Sequence, residues 1–96
     1  MPTKRSLPAA LKMARKARGL SQEAFSNVSS RTYLSTLERG MKSPTLSKIT
    51  ALCEVLDIHP LTLLALSYTG GNPAEIDRLV TRMRQEIGSL VESLKK

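Results

Sequence analysis

The sequence predicts an all-α fold, and two observations carry that prediction. Apolar residues make up 41% of the chain, enough for one hydrophobic core, but one Phe, two Tyr and no Trp are too few for an aromatic-rich sheet. Apolar residues also recur three and four positions apart between helix-type start and stop signals. The 96 residues suffice for one small domain and an appendage, not for two independent cores.

The chain opens with a short basic segment, residues 1–6, which contains Lys4 and Arg5 and almost nothing to bury. Its composition predicts a disordered arm. A first helix is expected from about Pro8 to Arg18, because proline suits the first helical position and a glycine follows as a stop.

A second, short helix is expected to begin at Ser21 with a capping box and to end near Ser26. Asn27 tolerates the left-handed conformation, so we expect it to make the tight exit. A third helix is then predicted over residues 30–39, with Ser29 or Ser30 as its cap.

Two strongly apolar helices are expected next, one from the cap residue Thr45 to about Asp57 and one starting at Pro60. Their leucine-rich faces predict that both belong to the core. Gly70 and Gly71 then break the pattern and read as a linker.

A C-terminal helix is expected over residues 72–96, roughly 36 Å long, with Asn72 as its cap. Its apolar residues follow a heptad spacing of 4, 3, 4, 3 and 4, and they are Ile76, Val80, Met83, Ile87, Leu90 and Leu94. A domain of this size cannot cover so long a stripe, which favours self-association into a homodimer. Folding back onto its own domain and binding an unknown protein partner remain alternatives.

The formal charge of +7 is unevenly distributed, since residues 1–20 carry six basic residues and no acidic one. Such asymmetry favours a polyanionic partner, above all nucleic acid, although a merely soluble basic surface would look the same.

Several function classes are excluded by what the sequence lacks. Cys53 is the only cysteine and His59 the only histidine, which excludes an internal disulfide and a cluster-type metal site within one chain. No catalytic or nucleotide-binding motif is present, so we expect neither an enzyme nor a cofactor. No apolar stretch approaches the roughly 18 to 20 residues that span a bilayer, and a cytoplasmic protein without a membrane partner is expected.

Three ordered blocks connect residues 7–67 to a known family. They read Arg15-x-x-x-Gly19-Leu20-Ser21-Gln22-Glu23, Tyr33-Leu34-Ser35-x-Leu37-Glu38-Arg39-Gly40, and Ser43-Pro44-Thr45-Leu46. Together they resemble the lambda-repressor-like, Xre/Cro-type helix-turn-helix family. The resemblance implies a five-helix DNA-binding domain over residues 7–69, followed by a C-terminal helix. The segment before Ser30 is shorter than the usual family pattern and lacks its turn glycine.

The resemblance also implies roles for individual residues, with the helix at 30–39 in the DNA major groove. Base contacts are expected from Arg31, Thr32, Ser35 and Thr36. Phosphate contacts are expected from Gln22, Tyr33, Arg39 and Lys42. The Tyr33 ring could equally cover the junction between the two helices. Arg15 and Glu38 are expected to form a structural ion pair, and Lys4 and Arg5 an arm that reaches the neighbouring groove or phosphates.

These expectations combine into a dimeric, sequence-specific regulator of transcription that binds double-stranded DNA at a pseudo-palindromic operator. The alternative is a protein-interaction adaptor, such as an antitoxin-like partner protein, that uses the C-terminal helix. The helix-turn-helix would then be only a scaffold.

Overall fold

The computed structural model describes residues 6–95, and throughout that range it consists of helices and the turns between them. The five α-helices are α1 (Leu7–Ala17), α2 (Arg31–Glu38), α3 (Leu46–Leu56), α4 (Pro60–Thr69) and α5 (Pro73–Leu94). A single-turn 3₁₀ helix, Gln22–Phe25, lies between α1 and α2. The predicted all-α fold is confirmed.

Each α-helix begins at a residue whose side chain accepts a hydrogen bond from a backbone N–H in the first turn, at 3.0 to 3.3 Å. These caps satisfy amides that would otherwise lack a partner. They are Ser6, Ser30, Thr45, His59 and Asn72. The caps predicted at Ser30, Thr45 and Asn72 are confirmed.

The segment between α1 and α2 differs from the sequence-based prediction. Gln22–Phe25 forms one 3₁₀ turn, and the Ser21 side chain caps nothing, so the predicted capping box is wrong. Asn27 does not adopt a left-handed conformation. Instead, the two backbone N–H groups that come after it both donate to the Phe25 carbonyl at 2.9 Å. The connection is short, and a 3₁₀ turn with this shared carbonyl reverses the chain in fewer residues than two α-turns would need.

One core joins these elements, with α1 packed on α2 and α4, and α3 packed on α4 and the 3₁₀ helix. Its buried apolar residues are Ala10, Leu11, Phe25, Leu34, Leu37, Ile49, Leu52, Cys53, Leu56 and Leu63. Leu34 and Leu37 therefore anchor α2 by one face and leave its opposite face outward. Burial raises the pKa of the Cys53 thiol, so the thiol stays neutral and packs as a small apolar residue of the core.

The helix α5 has no buried residue along its whole length, although its N-terminal part packs against α4. Its 22 residues correspond to about 33 Å, and its second half extends past the domain with every residue exposed. It ends at Leu94, slightly before the predicted end.

Within residues 6–95, no single helix is long and apolar enough to cross a membrane. The pair α3 and α4 passes that test on length and composition only when taken together, and the two helices are bent by 100°. Both contribute to the buried core.

Candidate nucleic-acid interface

The outward face of α2 carries the four residues for which base contacts were predicted. Arg31 and Thr32 are exposed, while Ser35 and Thr36 are partly buried. The Thr36 hydroxyl donates to the Thr32 carbonyl at 2.7 Å. Because this bond occupies the hydroxyl proton, Thr36 has its γ-methyl group and oxygen lone pairs left for other contacts.

The guanidinium of Arg31 is the most accessible charge on this face, with 71% of its side chain exposed. Its Nη1 lies 3.9 Å from Oε1 of Glu23, whose side chain is 75% exposed. An exposed ion pair of this length is worth about 0–1 kcal/mol, so a ligand that pairs with Arg31 displaces Glu23 at little cost.

Arg15 and Glu38 form a bidentate ion pair that ties α1 to the end of α2. Arg15 Nε donates to Glu38 Oε2 at 2.6 Å and Arg15 Nη2 donates to Oε1 at 2.9 Å. Only 11% of the Arg15 side chain and 4% of the Glu38 side chain are exposed. The hydrogen bond with Glu38 is the main reason that the pKa of the Arg15 guanidinium is raised further.

The same ion pair reaches the turn before α2. Arg15 Nη1 donates to the Leu20 carbonyl at 2.9 Å, and Gln22 Nε2 donates to Glu38 Oε1 at 3.2 Å. Gln22, one of the predicted phosphate contacts, is thus partly buried with its amide directed at Glu38. The arrangement fixes α1, the 3₁₀ helix and α2 relative to one another.

Tyr33 lies on the other flank of α2, partly buried against the core. The ammonium groups of Lys42 and Lys48 lie 5.7 and 5.2 Å from its ring centroid, within the range of cation–π attraction. Lys48 also donates to the Val28 carbonyl at 2.6 Å, which ties α3 to the turn before α2.

Sequence reasoning missed Lys48. One signal was present, because a lysine in the first turn of a helix is unfavourable next to the positive end of the helix dipole unless it has a tertiary partner. The other predicted phosphate contacts, Arg39 and Lys42, are both exposed.

A basic groove, lined by Lys12, Lys16 and Arg39 among others, runs between α1 and the end of α2, with a cavity of about 660 Å³. All three side chains are exposed, and within residues 6–95 none of them forms an ion pair. Glu38 also lines the groove, but its carboxylate is already paired with Arg15. The groove is therefore a positive surface beside the C-terminal end of α2.

Among the basic residues at positions 1–20, Arg18 is held by hydrogen bonds to the backbone. Arg18 Nε donates to the Leu56 carbonyl at 2.8 Å and its Nη2 to the Asp57 carbonyl at 3.2 Å, so Arg18 closes the end of α3. The arm residues Lys4 and Arg5 lie outside the described part of the chain.

In the described part of the chain, no group of three or more His, Cys, Asp and Glu side chains is placed to hold a metal ion.

Comparison with known proteins agrees with this geometry. A family model described as helix-turn-helix matches residues 11–63, more than half of the chain. Searches of curated proteins and of solved structures returned no match. The matched range begins within α1 and ends within α4, and so includes the 3₁₀ helix, α2 and the contacts that orient them. The chain belongs to the lambda-repressor/Xre-like helix-turn-helix family of DNA-binding regulators.

Proposed function

We propose that this protein is a sequence-specific regulator of transcription that binds double-stranded DNA as a dimer at a pseudo-palindromic operator. The observation that carries the proposal is the outward face of α2, where an accessible guanidinium stands beside small hydroxyl side chains on a helix anchored by Leu34 and Leu37.

The dimensions of α2 suit a major groove. An α-helix with its side chains is about 10–12 Å across, close to the groove's width of about 12 Å. Arg31 is placed near the N-terminus of the helix, where it would bond to guanine O6 and N7 together. The small side chains of Thr32, Ser35 and Thr36 permit close approach, and the free methyl group of Thr36 would contact a thymine methyl.

Phosphate contacts would position the domain on the duplex without reading sequence. Arg39 and Lys42 flank α2, and the basic groove adds Lys12 and Lys16 on one side. Lys4 and Arg5 would extend the contact from residues 1–6. Gln22 uses one of its two amide N–H groups on Glu38 and would contact phosphate through the other. Tyr33 would contact phosphate through its hydroxyl.

The dimer part of the proposal is supported by α5, which would serve as the dimerisation element over residues 72–96 beside a DNA-binding domain over residues 7–69. The heptad stripe is increasingly exposed toward the C-terminus, with Leu90 at 68% and Leu94 at 87%. Pairing would bury that surface and set two α2 helices about 34 Å apart, one turn of DNA.

The same exposed stripe favours a second candidate function, that of an adaptor whose α5 binds another protein, as in an antitoxin. In that case the outward face of α2 would have no preferred DNA sequence.

Selection of bound fragments from a random duplex library separates the two functions. A two-fold symmetric consensus is expected, with half-sites about 10 bp between centres. Enrichment of a single half-site would retain DNA reading and contradict the dimer. No enrichment at low salt would contradict the regulator and favour the adaptor.

Charge placed in the stripe tests the role of α5 directly. Met83→Lys with Ile87→Lys is expected to give folded monomers with most operator affinity lost, because two linked half-sites gain from a high effective concentration. The control, Thr81→Lys with Gln85→Lys, adds the same charge to the polar face of α5 and should stay dimeric. Sedimentation measures the state of both variants.

A further inference from the structure

An apolar groove lies between α4 and α5, next to the fully exposed second half of α5, residues 84–94, which is called here the bare half. Leu61, Leu64, Ala65 and Tyr68 of α4 line it together with Leu79 and Met83 of α5, and its cavity measures about 250 Å³. Leu61 is 53% exposed and Tyr68 is 73% exposed, although both are large apolar side chains.

We propose that this groove binds residues 87–94 of α5 from a second copy of the chain, with the two α5 helices antiparallel about a two-fold axis that passes between them at the level of Gln85. The inference rests on the dimer proposed above and adds its orientation and a second binding surface, the α4 face.

The apolar stripe of α5 is symmetric about Gln85. An antiparallel copy centred there places each residue of the heptad stripe opposite another, in layers that pair the two heptad core positions, as antiparallel coiled coils require. The facing pairs are Ile76 with Leu94, Val80 with Leu90, and Met83 with Ile87.

The charges of α5 distinguish the two orientations. Before Gln85, the stretch 76–84 contains three arginines and one aspartate, a net charge of +2, whereas the stretch 86–94 contains two glutamates, a net charge of −2. An antiparallel pair sets each positive half beside a negative half. A parallel pair would set like beside like, and such repulsion selects orientation more than it changes affinity.

The length of the groove matches its occupant. Residues 87–94 rise about 12 Å along a helix, and Leu61 to Tyr68 on α4 cover nearly the same rise. In a parallel dimer the bare half of α5 would pair beyond the domain and leave Leu61 and Tyr68 uncovered. Only the antiparallel arrangement covers the groove and the bare half at once.

The area agrees with a stable dimer. The exposed apolar side chains of α5 offer roughly 600 Å² of accessible surface per copy for an interface. Adding the exposed surface of Leu61 and Tyr68 brings this to roughly 900 Å². The larger figure gives a total of about 1,800 Å², within the range of specific interfaces, whereas the α5 stripe alone gives about 1,200 Å², at its lower limit.

Disulfide trapping tests the orientation, and the buried, lone Cys53 leaves an engineered thiol as the reactive one. The Met83→Cys and Ile87→Cys chains are oxidised each alone and also together as an equimolar mixture. Antiparallel pairing sets Met83 opposite the second copy's Ile87, and about 6 Å of helix rise separates the two Met83 positions. Since a disulfide needs Cα atoms within about 7 Å, the mixture should give mixed disulfides at least about fivefold over either variant alone.

Homodisulfides from each variant alone, or a statistical distribution in the mixture, would overturn the antiparallel orientation. Sedimentation of the unmodified chain separates this from the proposed function, because a dimer that yields no mixed disulfide refutes only the orientation, while a monomer refutes the dimer itself.

A groove variant tests the α4 face. Leu61→Arg is expected to weaken dimerisation at least about tenfold, whereas Thr62→Arg, on an exposed position of α4 outside the groove lining, should leave it unchanged. Equal dimerisation constants for Leu61→Arg and the parent would overturn the role of the groove.

Discussion

Arg15→Met should destabilise the domain more than any surface charge change, because it leaves the Glu38 carboxylate buried with one remaining side-chain donor. Glu38 is 4% exposed and receives two hydrogen bonds from Arg15 but only one, at 3.2 Å, from Gln22. Removing one partner of a buried ion pair costs about 3–5 kcal/mol. Arg15 is 11% exposed, so water reaches the site and the lower end of that range, about 3 kcal/mol, is expected.

Thermal unfolding followed by circular dichroism measures this loss. For a chain of this size, 1 kcal/mol shifts the melting temperature by about 4–8 °C, so Arg15→Met should melt roughly 12–24 °C below the parent. The control is the double variant Arg15→Met with Glu38→Leu, which removes both charges and keeps apolar volume. It should recover most of the loss, because an apolar pair of similar volume often replaces a buried ion pair without cost.

A double-mutant cycle supplies the refutation. If the double variant loses as much as the sum of Arg15→Met and Glu38→Leu, the two side chains are not coupled and the buried-charge argument fails. If Arg15→Met lowered the free energy of unfolding by less than about 1 kcal/mol, this pair would contribute no more than an exposed ion pair does.

Three further predictions concern DNA binding and the thiol. Arg31→Ala should relax the preference at one base pair by about 1–3 kcal/mol, whereas Lys42→Ala should weaken binding to all duplexes alike and reduce the slope of affinity against salt by about 1. Equal losses of affinity for Arg31→Ala on cognate and random DNA would contradict its base contact. Lys12→Gln with Lys16→Gln should likewise lower affinity for every duplex and reduce the salt slope by up to about 2, and an unchanged slope in titrations at several salt concentrations would exclude the basic groove. The Cys53 thiol, buried and with a raised pKa, should react with a disulfide reagent at pH 8 at least about 100-fold more slowly in the native chain than in denaturant; equal rates would show that the core opens readily.

Helix starts could be predicted from the sequence because a cap is a local interaction. Ser30, Thr45 and Asn72 each accept from an amide three residues later, so the residue type and its next few neighbours in the chain decide the outcome. The hydrophobic spacing likewise predicted that α3 and α4 contribute to the core, although Leu46 at the start of α3 is 72% exposed.

The 3₁₀ turn could not be predicted in this way. A serine followed by a polar residue and an acid suits an α-helical capping box, and nothing local in that segment opposes it. The geometry depends instead on Phe25, which is 0% exposed, and on a connection to Ser30 that leaves few residues in which to reverse direction. Tertiary packing therefore overrides the local preference.

The sequence also did not show which basic side chains are free to contact a partner. The segment up to residue 20 looks uniformly basic, yet Arg15 and Arg18 are bound to groups 23 and 38 positions away, while Lys12 and Lys16 remain free of ion pairs in the described chain. Charge counting predicts a polyanion partner, but only the fold distinguishes the cations that could reach one.

The shortness of α2 connects stability to DNA reading. An eight-residue helix is marginal in water by itself, so its orientation depends on what surrounds it. The Arg15–Glu38 pair holds its C-terminal end, and Lys48 holds the preceding turn through the Val28 carbonyl while lying beside the Tyr33 ring. Changes at these contacts should therefore lower stability and affinity together, whereas a change at Arg31, which packs against nothing in the core, should alter the sequence that is read and leave the melting temperature in place.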